Sequence, residues 1–213
     1  MRIREVVFGK TTLPESMIFE GGERDKIRRI ALRSFLIETA GRTILVDAGC
    51  DTMPGFVVED HIGPLRALED MGVSADSVTD LILTHHHHDH AECADRFINA
   101  VVYIQRDEYP LTERFISKSS DVILFDEEYS VCDGVRVIRI GGHTVGSCIV
   151  SVRVGDDEYI ITGDECYHSD CLKYGIPTGC AYSRERATAF IEKYSNEKYK
   201  VLVMHELTLE TEI

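Results

Sequence analysis

Alternating apolar and polar residues recur along the first part of the chain and predict a series of strands. Side chains of a strand point to opposite faces in turn, so this period of two, together with short apolar runs such as residues 81–84, marks strands at residues 3–8, 34–39, 43–49, 81–84, 101–104 and 122–125. The spacing becomes helical over residues 62–72, which end at Gly72, and residues 106–116 form a second predicted helix.

The same alternation returns in the second part of the chain. It predicts strands at residues 135–140, 148–154, 158–164 and 200–206, with a hairpin turn at residues 155–157. Residues 183–194 form a predicted helix that begins at a Ser cap, and its apolar face carries Ala187, Phe190, Ile191 and Tyr194.

Two strand-rich parts, at about residues 1–125 and 126–213, each end in a helix followed by a strand. No linker or low-complexity segment separates them, so we expect a single domain over residues 1–213 made of two similar halves. The two strand-rich halves predict the class α+β, with two sheets packed face to face and helices on the outer faces.

Composition narrows the function. The chain has 37 acidic and 23 basic residues and a net charge of −14, which repels phosphate backbones and argues against nucleic-acid binding. No stretch is long and apolar enough for a signal peptide or a membrane span. The seven cysteines show no CxxC spacing, so reduced thiols and a cytoplasmic location are expected.

One basic stretch stands out against the acidic whole. Residues 22–33 contain five basic side chains, among them Arg28 and Arg29. The simpler interpretation is a solvated loop with weak surface ion pairs. The sharper hypothesis is that Arg28 or Arg29 binds an anionic group of a substrate.

Candidate metal ligands begin directly after the strand at residues 81–84. His85 and His87 alternate by two, so an extended backbone directs both toward one metal ion. Asp89 and His90 follow at the turn into a helix and face another direction, which indicates a second ion.

Three more donors, His143, Asp164 and His205, each follow an apolar strand, where loops on a rigid scaffold concentrate binding groups. Together the set holds five imidazoles and two carboxylates. Nitrogen and oxygen donors without thiolate suit two catalytic divalent ions, with zinc favoured and iron, manganese or cobalt left open.

These residues resemble the metallo-β-lactamase superfamily of hydrolases, in HHHHDH at 85–90, GGHTVGS at 141–147, TGDECY at 162–167, VMHE at 203–206 and ILVDAG at 44–49. The resemblance implies an αββα sandwich with two mixed sheets. It implies one metal on His85, His87 and His143, and another on Asp89, His90 and His205. Asp164 would bridge the two ions, and Asp47 would orient the ligand loops.

Within that superfamily the chain is most similar to the N-acyl-homoserine lactone lactonases, in YIQRDEY at 103–109, GVRVIRIGGHTVGS at 134–147 and Tyr167 three residues after Asp164. The likeness implies attack on a lactone or small ester by a hydroxide shared between the metals. Tyr167 would then hold the substrate carbonyl, and Asp89 would pass a proton to the leaving oxygen.

Two alternatives remain at this stage. One is a thioesterase of the glyoxalase II kind, and the other is a metal-binding regulatory protein without turnover. A flavodiiron oxidoreductase is disfavoured because His87 stands where that branch has a Glu, and a nuclease is disfavoured by the acidic charge. The sequence leaves open the ester, the native metal and the oligomeric state, with a homodimer among the alternatives.

Overall fold

The computed structural model describes residues 1–207 and contains two mixed β-sheets. The first sheet has its six strands in sequence order: β1 (Arg2–Pro14), β2 (Ile27–Thr39), β3 (Arg42–Val46), β4 (Asp80–Leu83), β5 (Val101–Gln105) and β6 (Val122–Phe125). The strands β1, β2 and β3 pair antiparallel, and β3 through β6 are parallel.

The second sheet has five strands: β7 (Glu128–Cys132), β8 (Val135–Arg139), β9 (Cys148–Val154), β10 (Asp157–Ile161) and β11 (Tyr199–Leu202). Their order in space is β11-β10-β9-β8-β7, and only the β10–β11 pair is parallel.

The described part of the chain contains six α-helices between its strands: α1 (Glu15–Ile18), α2 (Pro64–Asp70), α3 (His88–Ala91), α4 (Tyr109–Thr112), α5 (Ser169–Tyr174) and α6 (Arg184–Tyr194). Short 3-10 turns supplement them, at Ala75–Ser77, Glu92–Arg96, Glu113–Phe115 and Gly163–Glu165. None of the helices in residues 1–207 combines the length and apolar character that crossing a bilayer requires.

Alternate side chains of one strand pack into different apolar layers, because they point to opposite faces of the sheet. Ile44 and Val46 of β3 pack between the two sheets, whereas Leu45 packs on the helical side with Leu68 of α2. On the outer face of the second sheet, Phe190 of α6 belongs to a third apolar cluster. The layers therefore run helix, sheet, sheet, helix, which confirms the predicted sandwich.

Most strands lie where the pattern predicted them, and α6 buries its predicted face, comprising Ala187, Phe190, Ile191 and Tyr194. The strands β1 and β2 are longer than predicted because they form one hairpin paired from Arg2 to Pro14. The interpretation of residues 22–33 as a solvated loop is wrong from Ile27 onward, because residues 27–33 belong to strand β2.

The helix predicted over residues 106–116 is also shorter than expected. A helix of four residues begins at Tyr109, with Pro110 in its first turn, and a 3-10 turn follows it. The pattern did not predict β7, α1 or α5. The chain passes from the first sheet to the second between Phe125 and Glu128. The division into two similar halves stays a prediction, and its last residues, 208–213, lie outside the described part.

Candidate dinuclear metal centre

The seven predicted ligands meet at one end of the sandwich, on loops that follow β4, β8, β10 and β11. They form two groups, and within each group the ligand atoms lie within 4.8 Å of one another. The first group is His85, His87, His143 and Asp164, and the second is Asp89, His90 and His205. The structure thus brings together every residue that the sequence proposed as a ligand.

Asp164 lies between the two groups and turns one carboxylate oxygen toward each. Its Oδ2 is 3.3 Å from Nε2 of His143, and its Oδ1 is 2.9 Å from Nε2 of His205 and 3.1 Å from Nε2 of His90. A carboxylate placed in this way has the geometry to bridge two ions.

The histidine rings are held from behind by hydrogen bonds. The Nδ1–H of His205 donates to the carbonyl oxygen of Ala31 at 2.8 Å, and the Nδ1–H of His90 donates to Oδ2 of Asp47 at 2.8 Å. Because both acceptors lack a proton to give, Nδ1 of each ring carries the proton, and Nε2 of each ring faces Oδ1 of Asp164. Such outer contacts are typical of metal-ligating histidines.

Asp47 connects the loop after β3 to both ligand groups. It accepts hydrogen bonds from the backbone N–H of Thr84 at 2.8 Å and from the Thr84 hydroxyl at 2.9 Å. That hydroxyl is 3.0 Å from Nδ1 of His85, a ligand of the first group, while His90 belongs to the second. The backbone of Asp47 has φ +64°, a left-handed conformation that Asp tolerates better than most residues.

Burial and neighbouring charge shift the pKa values of His85 and His143 in one direction and that of His90 in the other. Burial lowers the pKa of His85 well below its usual value and that of His143 to about 4, so both rings are neutral and able to ligate. Burial also opposes charge on His90, but Asp164, Asp89 and Asp47 outweigh it and raise the pKa of His90. A divalent ion held by these residues would supply the positive charge that the carboxylates attract.

The donor set fits two metal ions. Within residues 1–207, Nε2 of His85 and Nε2 of His90 are buried without a hydrogen-bond partner. A buried polar atom left unpaired is costly, so two such atoms facing carboxylates call for a ligand. Imidazole and carboxylate donors without thiolate are the set that open zinc sites use.

Tyr167 covers the second group. Its ring stacks on His205 with centroids 5.0 Å apart and an interplanar angle of 26°. Burial raises the pKa of Tyr167 well above its usual value, and the Asp164 carboxylate raises it further. The phenol therefore stays protonated and is a hydrogen-bond donor.

A cavity of about 220 Å³ opens over both groups and is lined by His87, Asp89, Asp164 and Tyr167 on its metal side. Its remaining wall is largely apolar: Leu13, Met17, Ile30, Met53, Pro54 and Phe56. Apolar walls around a few polar groups are typical of small-molecule sites.

Comparison with known proteins agrees with this geometry. The family model of the metallo-beta-lactamase superfamily matches residues 33–204. The chain belongs to this superfamily. Its similarity to individual members is low in sequence and high in fold.

Two curated relatives illustrate the sequence similarity. An N-acyl homoserine lactonase of Bacillus sp is 22% identical, over 99% of this chain and 96% of its own length. The N-acyl homoserine lactonase AiiA of Bacillus thuringiensis subsp. kurstaki is 24% identical, over 83% of this chain and 82% of its own.

Solved structures of the superfamily share the fold. An N-acyl homoserine lactone hydrolase, bound to the product N-hexanoyl-L-homoserine at its catalytic metal center, matches with a TM-score of 0.85 at 19% identity and covers 100% of this chain and 98% of its own. The dizinc quorum-quenching lactonase AidC matches with a TM-score of 0.78 at 18% identity, over 96% of this chain and 87% of its own.

Arg28 and Arg29 do not line the cavity over the two ligand groups. Both line a neighbouring cavity of about 320 Å³ that shares Ile30 and Tyr167 with it. Arg28 pairs with Glu15 at 2.6 Å, and Arg29 pairs with Glu59.

Two buried carboxylates near the ligands were missed by the sequence analysis. Glu108 contacts the loops on both sides of the first group, and Glu165 accepts hydrogen bonds from the backbone N–H groups of Gly142 and His143 at 3.1 and 3.2 Å. Burial raises the pKa of Glu165 to about 7. The glycines of GGHTVGS were the available signal, because glycine permits close approach of a partner.

Proposed function

We propose that this protein is a dinuclear metal-dependent hydrolase that opens lactones, with N-acyl-homoserine lactones of short acyl chain as the preferred class. The observation that carries the proposal is Asp164, which turns one oxygen to each ligand group and lines the same cavity as Tyr167. The curated relatives named as N-acyl homoserine lactonases support the substrate class.

Two zinc ions, when bound by the two groups, would lower the pKa of a water molecule and polarise the substrate carbonyl. Tyr167 remains protonated, so its hydroxyl is able to donate a hydrogen bond to the developing oxyanion. Asp89 lines the same cavity and would carry a proton to the ring oxygen that leaves. No side chain needs to act as a nucleophile.

The cavity supports a small substrate. Its volume of about 220 Å³ lies below the usual range of about 300–1,000 Å³ for ligand pockets, and its apolar wall suits a short hydrocarbon chain.

All seven cysteines are free thiols, which supports the expectation of a reducing, cytoplasmic compartment.

Proton release tests the proposal directly. Zinc-loaded protein is given N-butanoyl- or N-hexanoyl-homoserine lactone and, separately, a glutathione thioester. Lactone opening that disappears in Asp89→Ala is the expected result. Activity on the thioester alone would make the protein a thioesterase, and inactivity on both, with two zinc ions bound, would contradict the proposed function.

Arg28 and Arg29 are proposed contacts for a substrate group that reaches the neighbouring cavity. Replacing both with Gln should raise KM for an anionic acyl lactone and leave KM for a neutral one unchanged. If the variant has the same KM as the original protein for both substrates, Arg28 and Arg29 do not contact the substrate.

A further inference from the structure

We infer that Glu108 is a positioning residue that holds the first ligand group together and leaves the second group independent. The inference rests on the proposed metal-binding function. Glu108 follows β5 and is fully buried, although it belongs to none of the loops that carry ligands.

One oxygen of Glu108 holds the loop that carries His85 and His87. Its Oε2 accepts the backbone N–H of His86 at 3.0 Å and the Nδ1–H of the same residue at 2.5 Å. His86 lies between the two ligands in sequence, so fixing its backbone and its ring fixes the extended segment that directs both ligands to one side.

The other oxygen holds the loop that carries His143. Oε1 of Glu108 accepts the hydroxyl of Thr144 at 2.7 Å and the backbone N–H of Gly146 at 2.7 Å. A Cβ at Gly146 would overlap Oε1 of Gln105 and lie 2.9 Å from Cγ of Glu108, so glycine permits the close approach of both side chains. One carboxylate with four donors therefore joins two loops that lie far apart in the chain, one at His86 and the other at Thr144 and Gly146.

The second group is held by other contacts. His90 is oriented by Asp47 and His205 by Ala31, and neither Asp47 nor Ala31 touches Glu108 among the hydrogen bonds of residues 1–207. Removal of Glu108 should therefore loosen three histidines of the first group. Asp89, His90 and His205 should keep their geometry.

Zinc titration against a chromophoric chelator tests this assignment with Glu108→Gln. A Gln side chain keeps the size but replaces one acceptor oxygen with an N–H₂ donor, which opposes the donors of His86 or of Thr144. One of two zinc affinities should fall about 10- to 100-fold, the usual effect of losing an outer-shell partner, and the other should stay within about twofold.

Asp89→Ala identifies the weakened ion, because it removes a ligand of the second group. In that background Glu108→Gln should weaken the one remaining tight site. Thr144→Val removes a single donor and should weaken the same ion by a smaller factor, which decides the matter should Glu108→Gln not fold.

Asp80→Asn is the matched control. Asp80 is also a buried carboxylate with several donors, namely Arg42, Thr79 and Tyr103, and it lies at the start of β4, whereas the ligands follow the end of that strand. This variant should lower stability without changing either zinc affinity. Unchanged affinities in Glu108→Gln, or an equal fall in both, would overturn the inference, whereas failure of the original protein to bind two ions would overturn the proposed function as well.

Discussion

Oδ2 of Asp47 accepts a hydrogen bond from Nδ1 of His90 at 2.8 Å, and the same oxygen accepts the hydroxyl of Thr84 at 2.9 Å. Thr84 in turn contacts Nδ1 of His85 at 3.0 Å. One buried carboxylate therefore orients a histidine of each ligand group, unlike Glu108, whose contacts reach only the first.

Replacement of Asp47 by Asn should weaken both ions. The amide cannot accept from all three donors that face the carboxylate, so His85 and His90 lose their fixed orientation. We expect both zinc affinities to fall about 10- to 100-fold. Elemental analysis after dialysis against a chelator measures the loss, with Asp80→Asn as the control, and retention of either ion at full affinity would contradict the prediction.

Replacement of Tyr167 by Phe should lower kcat and leave zinc content unchanged. The ring would still stack on His205, but the donor to the oxyanion is lost, and removing such a donor costs about 10²- to 10³-fold in kcat. Tyr174→Phe, at a tyrosine that is 60% exposed on α5, is the control and should behave as the original protein. A Tyr167→Phe enzyme with full kcat would exclude the hydroxyl from the reaction.

Acyl length should improve binding only until the cavity is filled. Each buried methylene contributes about 0.8 kcal/mol, or about a fourfold change in KM. A series of homoserine lactones from butanoyl to dodecanoyl should therefore gain steeply at first and then level off. Phe56→Ala should weaken binding of the hexanoyl substrate, whereas Val57→Ala, at an exposed residue outside the cavity wall, should not. A steady gain up to dodecanoyl would mean that the chain leaves the cavity by another route.

Thiol reactivity should follow burial. Burial raises the pKa of Cys93 to about 12, and alkylation needs the thiolate, so Cys93 should stay unmodified at pH 8 in the folded protein. Cys132 and Cys180 are only partly buried and should react first with iodoacetamide, as mass spectrometry of digested protein will show. Product bound in the cavity should protect Cys180, which lines it, and not Cys132. Early labelling of Cys93 would show that its packing is looser than described.

Elements with strong periodicity were predicted well, and elements defined by tertiary contacts were not. The helix at Arg184–Tyr194 and the strand at Cys148–Val154 have clear periods and lie within a residue or two of their predicted limits. The first part of β2 was not predicted because Arg28 and Arg29 interrupt its apolar pattern, and because its pairing with β1 is a tertiary contact. The prediction for α4 was too long because the pattern did not show that the helix begins only at Tyr109, with Pro110 in its first turn.

The sequence by itself indicated seven candidate ligands, since donors placed just after strands converge where those strands end at one edge of the fold. The resemblance to the lactonases implied roles for Asp47 and Tyr167 as well. Only the tertiary structure decided which oxygen of Asp164 faces which group, and that Glu108 joins two loops while Glu165 holds one of them. A carboxylate in a sequence does not reveal its donors, because hydrogen-bond partners far apart in the chain are brought within about 3 Å only by packing of the sheets and loops.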